Sequence, residues 1–147
     1  MTKLRKFWHL SSNEQWVLCL AAFFLVAVEV GLRIFSFRNV VAWTRRNRRR
    51  NCNAGSASPE RIAWLVETAA RHSGLRPTCL RKSIVFCALL EKQGLKARLV
   101  IGTTSPSDAF RAHAWVEVDG KVLGAEGRPS YVELVAFENL RSWQQMA

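Results

Sequence analysis

Several features that mark common protein classes are missing from this chain of 147 residues. No glycine-rich phosphate loop occurs, which argues against a nucleotide-binding enzyme. No internal repeat is visible, which argues against a solenoid or a propeller. The four cysteines form no CxxC pair and are too sparse for a disulfide scaffold, so neither a zinc ribbon nor a redox dithiol is expected. Reduced thiols and a cytoplasmic location are the simplest prediction.

Acidic residues are also scarce, with 11 Asp and Glu against 22 Lys and Arg and a net charge of +11. The imbalance lies mainly in residues 1–50, where ten basic residues face two glutamates and give +8. Residues 51–147 carry twelve basic and nine acidic residues and give only +3. Because 49% of the chain is hydrophobic and 22% is charged, we expect a folded core: one domain with an appendage.

The longest apolar run lies near the N-terminus. Trp16–Val28 are all apolar, and as a helix they would measure about 20 Å, against about 30 Å of bilayer hydrocarbon. Ser12 or Asn13 is expected to cap this helix. Glu29 interrupts the run, and Arg33 stands four residues later, where it could neutralise that carboxylate. Two interpretations remain open, namely a helix that packs on the protein or lies at a membrane interface, and a helix that spans the membrane.

A basic and polar stretch separates this helix from the remainder. Arg45–Arg50 reads RRNRRR, and small or polar residues follow to Ser58. This stretch is either a solvated hinge or a contact for phosphate groups. A nucleic-acid partner is not expected, because no recognised nucleic-acid module and no interleaved aromatic residues accompany the charges. The predicted organisation is an N-terminal helical extension over 1–50, a linker over 51–58 and a catalytic domain over 59–147.

The remaining sequence predicts helices followed by a small antiparallel sheet, an α+β fold. One helix is predicted from Pro59, capped by Ser58, and a second between Thr78 and Gly94. The period then changes to two, and Asp119-Gly120 is a strong hairpin signal. The predicted strands are Lys96–Gly102, Ala112–Val118, Lys121–Ala125 and Tyr131–Phe137.

Cys79 is the candidate nucleophile. It falls in the first turn of the second predicted helix, where free backbone N–H groups and the helix dipole stabilise a thiolate. The alternative is an inert, partly buried cysteine. A nucleophilic cysteine requires a neighbouring base, and a histidine on the following sheet would provide it.

His113 is the candidate base. On the predicted strand 112–118 it shares a face with Trp115 and Glu117, away from the apolar face. If Asp119-Gly120 closes the hairpin, directly opposed residues sum to 239, and His113 then faces Glu126. Glu126 could therefore orient the imidazole, although a shift of register by one residue would remove this pairing.

The residues Cys79-Leu80-Arg81-Lys82-Ser83 and His113-Ala114-Trp115-Val116-Glu117-Val118-Asp119-Gly120 resemble a known family. The sequence is similar to the transglutaminase-like cysteine peptidases that remove the leader from lasso-peptide precursors, in their stand-alone form. The resemblance covers about residues 58–137, and the apolar N-terminal helix is also typical of that form. It implies a papain/transglutaminase-like core with a Cys–His–Asp triad. Ala125 stands where the family aspartate is expected, with Glu126 beside it.

This resemblance also implies a function and partners. The expected reaction is hydrolysis of the leader–core peptide bond of a ribosomal precursor peptide in antibiotic biosynthesis, with no metal or other cofactor. A separate leader-recognition protein would present the precursor, and a cyclase resembling asparagine synthetase would close the ring. The alternatives are acyl transfer to an amine by the same triad, and a non-catalytic scaffold that contacts the membrane through the N-terminal helix.

Overall fold

The computed structural model describes residues 10–46, 57–104, 111–123 and 131–138, and these form four helices and four strands. In chain order the elements are α1 (Ser12–Ile34), α2 (Phe37–Arg46), α3 (Pro59–His72), α4 (Cys79–Lys92), β1 (Arg98–Thr104), β2 (Ala112–Val118), β3 (Lys121–Leu123) and β4 (Tyr131–Glu138). Helices precede an antiparallel sheet with the strand order β3-β2-β1-β4. The predicted α+β class is confirmed.

Side-chain caps fix the starts of α1 and α3. Ser11 accepts a hydrogen bond from the Glu14 backbone, and the Glu14 carboxylate accepts one from the Ser11 backbone at 2.9 Å, which completes a capping box. The cap of α1 is therefore Ser11 and not Ser12 or Asn13, the two predicted positions. Ser58 caps α3 as predicted, because its hydroxyl accepts from the Arg61 backbone and Pro59 follows it.

The hairpin between β2 and β3 has the predicted register. Val116 lies opposite Leu123, and Val118 lies opposite Lys121. The intervening Asp119 and Gly120 both have left-handed backbone, with φ of 50° and 76°. A two-residue turn of this kind matches the twist of an antiparallel pair, which is why Asp-Gly favours it.

The core lies between the helices and one face of the sheet, with α4 at its centre. All residues from Ser83 to Glu91 on α4 are buried. The side chains of Leu99, Val116 and Phe137 close the core from the sheet. The start of α4 lies next to the start of β2. Ser83 Oγ joins the two elements by donating a hydrogen bond to the Ala114 carbonyl oxygen at 3.1 Å.

Helix α1 packs into the same core. Its inner face is buried against α3 and α4, and the members of that face are Val17, Ala21, Phe24, Leu25 and Val28. The predicted Glu29–Arg33 ion pair is confirmed at 3.0 Å, and Arg81 of α4 reaches the same carboxylate at 2.7 Å. Two cations thus neutralise a carboxylate with only 6% of its side chain exposed, as a buried charge requires.

By length and composition α1 could also cross a membrane, a property that buried core helices share. The boundary predicted between an extension over 1–50 and a catalytic domain over 59–147 stays a prediction. The predicted linker at 51–58 lies mostly outside the described residues.

Candidate active site

Cys79 is the first residue of α4 and is partly exposed with a free thiol. The preceding Thr78 has extended backbone, and its side chain makes no capping hydrogen bond. The first-turn N–H groups therefore receive no acceptor from Thr78 and keep their partial positive charge next to the sulfur. Cys79 therefore lies at the helix start, as the sequence predicted.

His113 is the second residue of β2, and it borders the same pocket as Cys79. The pocket is small and open, with about 40 Å³ of room. Its walls come from α3, the first two turns of α4, the start of β2 and Leu123 of β3. The structure thus brings the two predicted catalytic residues, 34 positions apart in the sequence, to one concave site.

Two polar residues of this pocket, Lys82 and Ser83, were not predicted from the sequence as site residues. Lys82 stands one turn after Cys79, and its Nζ lies 2.8 and 3.0 Å from the two carboxylate oxygens of Glu67 on α3. Ser83 ties α4 to β2 at Ala114, the residue after His113. Neither contact has a short-range signature, because each joins elements distant in the sequence.

The pKa of His113 is lowered from its ordinary value. Partial burial of the imidazole is the larger cause, and the positive charge of Lys82 is the second. Both disfavour the protonated ring. At neutral pH the imidazole is therefore held mainly neutral, the form that accepts a proton from a thiol.

Removing the charge of Lys82 should raise the pKa of His113. In Lys82→Gln the imidazolium loses a repelling cation, and the freed Glu67 carboxylate acts in the same direction. We expect the pKa to move up towards about 6.5, measured by NMR titration of the imidazole protons with His113→Gln for assignment. Lys121→Gln is the matched control, since it removes an equal charge paired with Glu60 at 2.7 Å. An unchanged His113 titration in Lys82→Gln would contradict this account of the pocket.

The His113 ring is also part of an aromatic cluster. Its centroid lies 5.3 Å from that of Tyr131 on β4 and 6.4 Å from that of Trp115, with interplanar angles of 20° and 18°. Trp115 is 7% exposed, and its indole N–H donates to Glu117 at 2.9 Å. Arg98 then joins Glu117 at 2.9 Å and Glu133 at 2.6 Å. The stacked rings of Tyr131 and Trp115 therefore restrict the ring of His113.

Gly102 on β1 makes this cluster feasible. It lies between His113 of β2 and Glu133 of β4, next to a register shift in the β1–β4 pairing. A Cβ atom there would stand 2.6 Å from the carbonyl oxygen of Val132 and 2.8 Å from the ring of Trp115. The absent side chain lets rings from β2 and β4 meet across β1. A glycine inside a strand signals such a close approach, so this residue could have been singled out.

Adding one methyl group at Gly102 should therefore be costly. Because the obstructing Val132 atom belongs to the backbone, Gly102→Ala has to displace β4 or the Trp115 ring, and we expect a loss of about 1–3 kcal/mol in the free energy of unfolding. Gly31→Ala is the control. There the new Cβ meets side-chain atoms of Val40 and no backbone, the nearest a methyl group at 3.0 Å, and alanine favours the helix. Urea denaturation followed by circular dichroism compares the two, and equal stabilities would contradict the packing described.

The third predicted site residue, Glu126, lies outside the described residues, so its pairing with His113 stays a prediction. Glu67 is the acidic member of the pocket among the residues that the structure describes, and Lys82 binds it. Across those same residues, no three His, Cys, Asp or Glu side chains lie close enough to hold a metal ion.

Comparison with known proteins gives one finding. The profile of the transglutaminase-like superfamily matches residues 22–136, a range that includes Cys79, His113 and most of α1. No curated protein and no solved structure matches the chain.

Proposed function

The chain belongs to the transglutaminase-like superfamily, which covers cysteine peptidases and acyltransferases, and we propose on that basis that it is a cysteine peptidase. The observation that carries the proposal is the common pocket of Cys79 and His113. A thiol at a helix start and an imidazole with a lowered pKa are the nucleophile and base of covalent acyl chemistry.

The reaction follows from these two groups. The Cys79 sulfur attacks the carbonyl carbon of a peptide bond, and His113 takes the thiol proton and delivers it to the leaving amine. A thioester to Cys79 remains. His113 then removes a proton from water, which attacks the thioester and releases the acid with the free thiol. The Cys79 backbone N–H is the candidate donor to the oxyanion, because it belongs to the first helical turn.

The proposed substrate is the leader–core junction of a ribosomal precursor peptide of the lasso type. This part rests on the motif that begins at Cys79 and on the HAWVEVDG segment from His113. A separate leader-recognition protein and a cyclase resembling asparagine synthetase are the proposed partners, and the cytoplasm is the proposed location. The small size of the pocket fits a site that holds the scissile bond alone, with the remaining peptide held elsewhere.

Acyl transfer to an amine is the second candidate, because the same superfamily includes it. A product analysis separates the two. The protein is incubated with a lasso-type precursor peptide and a leader-recognition protein, in ¹⁸O-labelled water containing methylamine. Incorporation of one ¹⁸O atom at the new carboxyl end supports hydrolysis, whereas a methylamide would establish transfer. An intact precursor in the presence of both proteins would contradict both candidates.

A further inference from the structure

Helix α1 carries a second apolar surface that the core does not use. Its inner face is buried, but a row of residues spaced three or four positions apart is exposed over most of the helix length. We call this row the outer stripe, and it consists of Trp16, Cys19, Phe23, Val26, Val30 and Ile34. The five members other than Cys19 are between 47% and 67% exposed. The row covers about 27 Å along the helix axis.

The outer stripe continues onto α2. The ring of Trp43 lies 6.5 Å from that of Phe23, and 40% of Trp43 is exposed. Between the two helices lies an open groove of about 410 Å³, lined mainly by apolar residues that include Val30, Phe35 and Val40. Soluble monomers rarely expose a continuous apolar surface of this extent without a binding role.

The net charge of the N-terminal segment that carries the outer stripe indicates which occupant this surface binds. Residues 1–50 carry ten basic and two acidic residues. Both acidic residues are bound to cations of the domain, Glu14 to Arg61 and Glu29 to Arg81. Arg33, which also pairs with Glu29 at 3.0 Å, lies beside the outer stripe and has 74% of its side chain exposed. A second copy of the chain would bring two strongly basic segments together, which like-charge repulsion opposes.

We propose that the outer stripe docks the protein on the surface of an anionic lipid bilayer, with α1 lying flat in the interface. An apolar helical face beside a basic segment, with tryptophans at the polar boundary, is the composition of interfacial helices. The helix lies on the bilayer and does not cross it, because its inner face and Glu29 are held in the protein core. Docking would place the catalytic domain at the membrane surface, and it is independent of the proposed peptidase activity.

Sedimentation with vesicles tests the docking. The probes are vesicles of phosphatidylcholine alone and vesicles with about 30 mol% phosphatidylglycerol. We expect the wild-type protein to sediment with the anionic vesicles, to bind the neutral ones more weakly, and to be released by about 0.5 M NaCl. The variant Val30→Ser with Ile34→Ser should lose at least about 10-fold in partitioning, because apolar area drives interfacial binding.

The matched control is Val132→Ser with Leu134→Ser, which removes equally exposed aliphatic side chains from β4, at 55% and 62% against 47% and 67%. It should bind like the wild type, with circular dichroism confirming that both variants are folded. The proposal would be overturned if the wild-type protein bound neither the anionic nor the neutral vesicles, or bound both equally. Equal losses in the two double variants, or a dimer that the stripe variant dissociates, would also overturn it. Loss of peptide cleavage in vesicle-free solution by the stripe variant would likewise overturn it, in favour of a peptide groove.

Discussion

Cys79→Ala is expected to abolish cleavage of the precursor, with kcat/KM falling by at least about 10³-fold. In the proposed mechanism the acyl intermediate forms on the sulfur, and no other thiol lines the pocket in the part of the chain that the structure describes. Alanine is a good helix former and removes a single partly exposed atom from the first turn of α4. The unfolding free energy should therefore change little. A loss of cleavage can then be attributed to the missing sulfur and not to unfolding.

Cys19→Ala provides the matched control, because Cys19 is also a free and exposed thiol but lies on α1. Single-turnover assays on the soluble precursor compare the three proteins. Mass spectrometry of the stopped wild-type reaction should also find the acyl group on the peptide that contains Cys79. If Cys79→Ala cut the precursor at the wild-type rate, the assignment of the nucleophile would be wrong, whatever the state of Cys19.

Sequence reasoning reached the backbone of this site because the signals there are local. The start of α4 at Cys79 follows from its position after Thr78. The β2–β3 register follows from Asp119-Gly120, because a two-residue turn allows only one pairing of the flanking strands. The Glu29–Arg33 pair likewise follows from spacing on one helix. Each of these predictions needed only neighbouring residues.

The interactions that the sequence left out all join distant elements. Glu67 meets Lys82 across two helices, and Tyr131 meets His113 across β1. The sequence around Glu67 does not distinguish it from an ordinary solvent-exposed helix residue. The second ion pair of Glu29, with Arg81, also joins distant elements, and it ties α1 to the helices of the core. Tertiary contacts of this kind depend on packing angles that spacing does not specify.

The sequence pattern also does not specify which side of α1 is buried in the core. Thirteen consecutive apolar residues predict a buried or membrane-bound helix without distinguishing its sides, because hydrophobic side chains surround the axis. Packing against α3 and α4 selects the inner face and leaves the outer stripe exposed. A helix that is apolar all round can therefore serve the core with one side and an interface with the other.

His113→Ala is expected to have the second large effect, a loss of about 10³-fold or more in kcat/KM. In the proposed mechanism, both the acylation and the hydrolysis step require proton transfer by His113. In the wild type, the activity should fall at low pH as the imidazole becomes protonated. Burial and Lys82 lower the pKa of His113, so this fall should be centred below about pH 6.5, the ordinary value for histidine. The variant should lose this limb of the profile, and added imidazole should restore part of its activity.

His72→Ala is the control for His113→Ala. His72 is exposed at the end of α3, where its Nδ1 donates to the Thr68 carbonyl oxygen at 2.8 Å, and it does not line the pocket. Its removal should leave both the rate and the pH profile unchanged. The profile is the decisive measurement, because a merely structural histidine would lower the rate at every pH and leave the acid limb in place. An acid limb that persisted in His113→Ala would show that another group supplies the base, and Cys79 would then need a different partner.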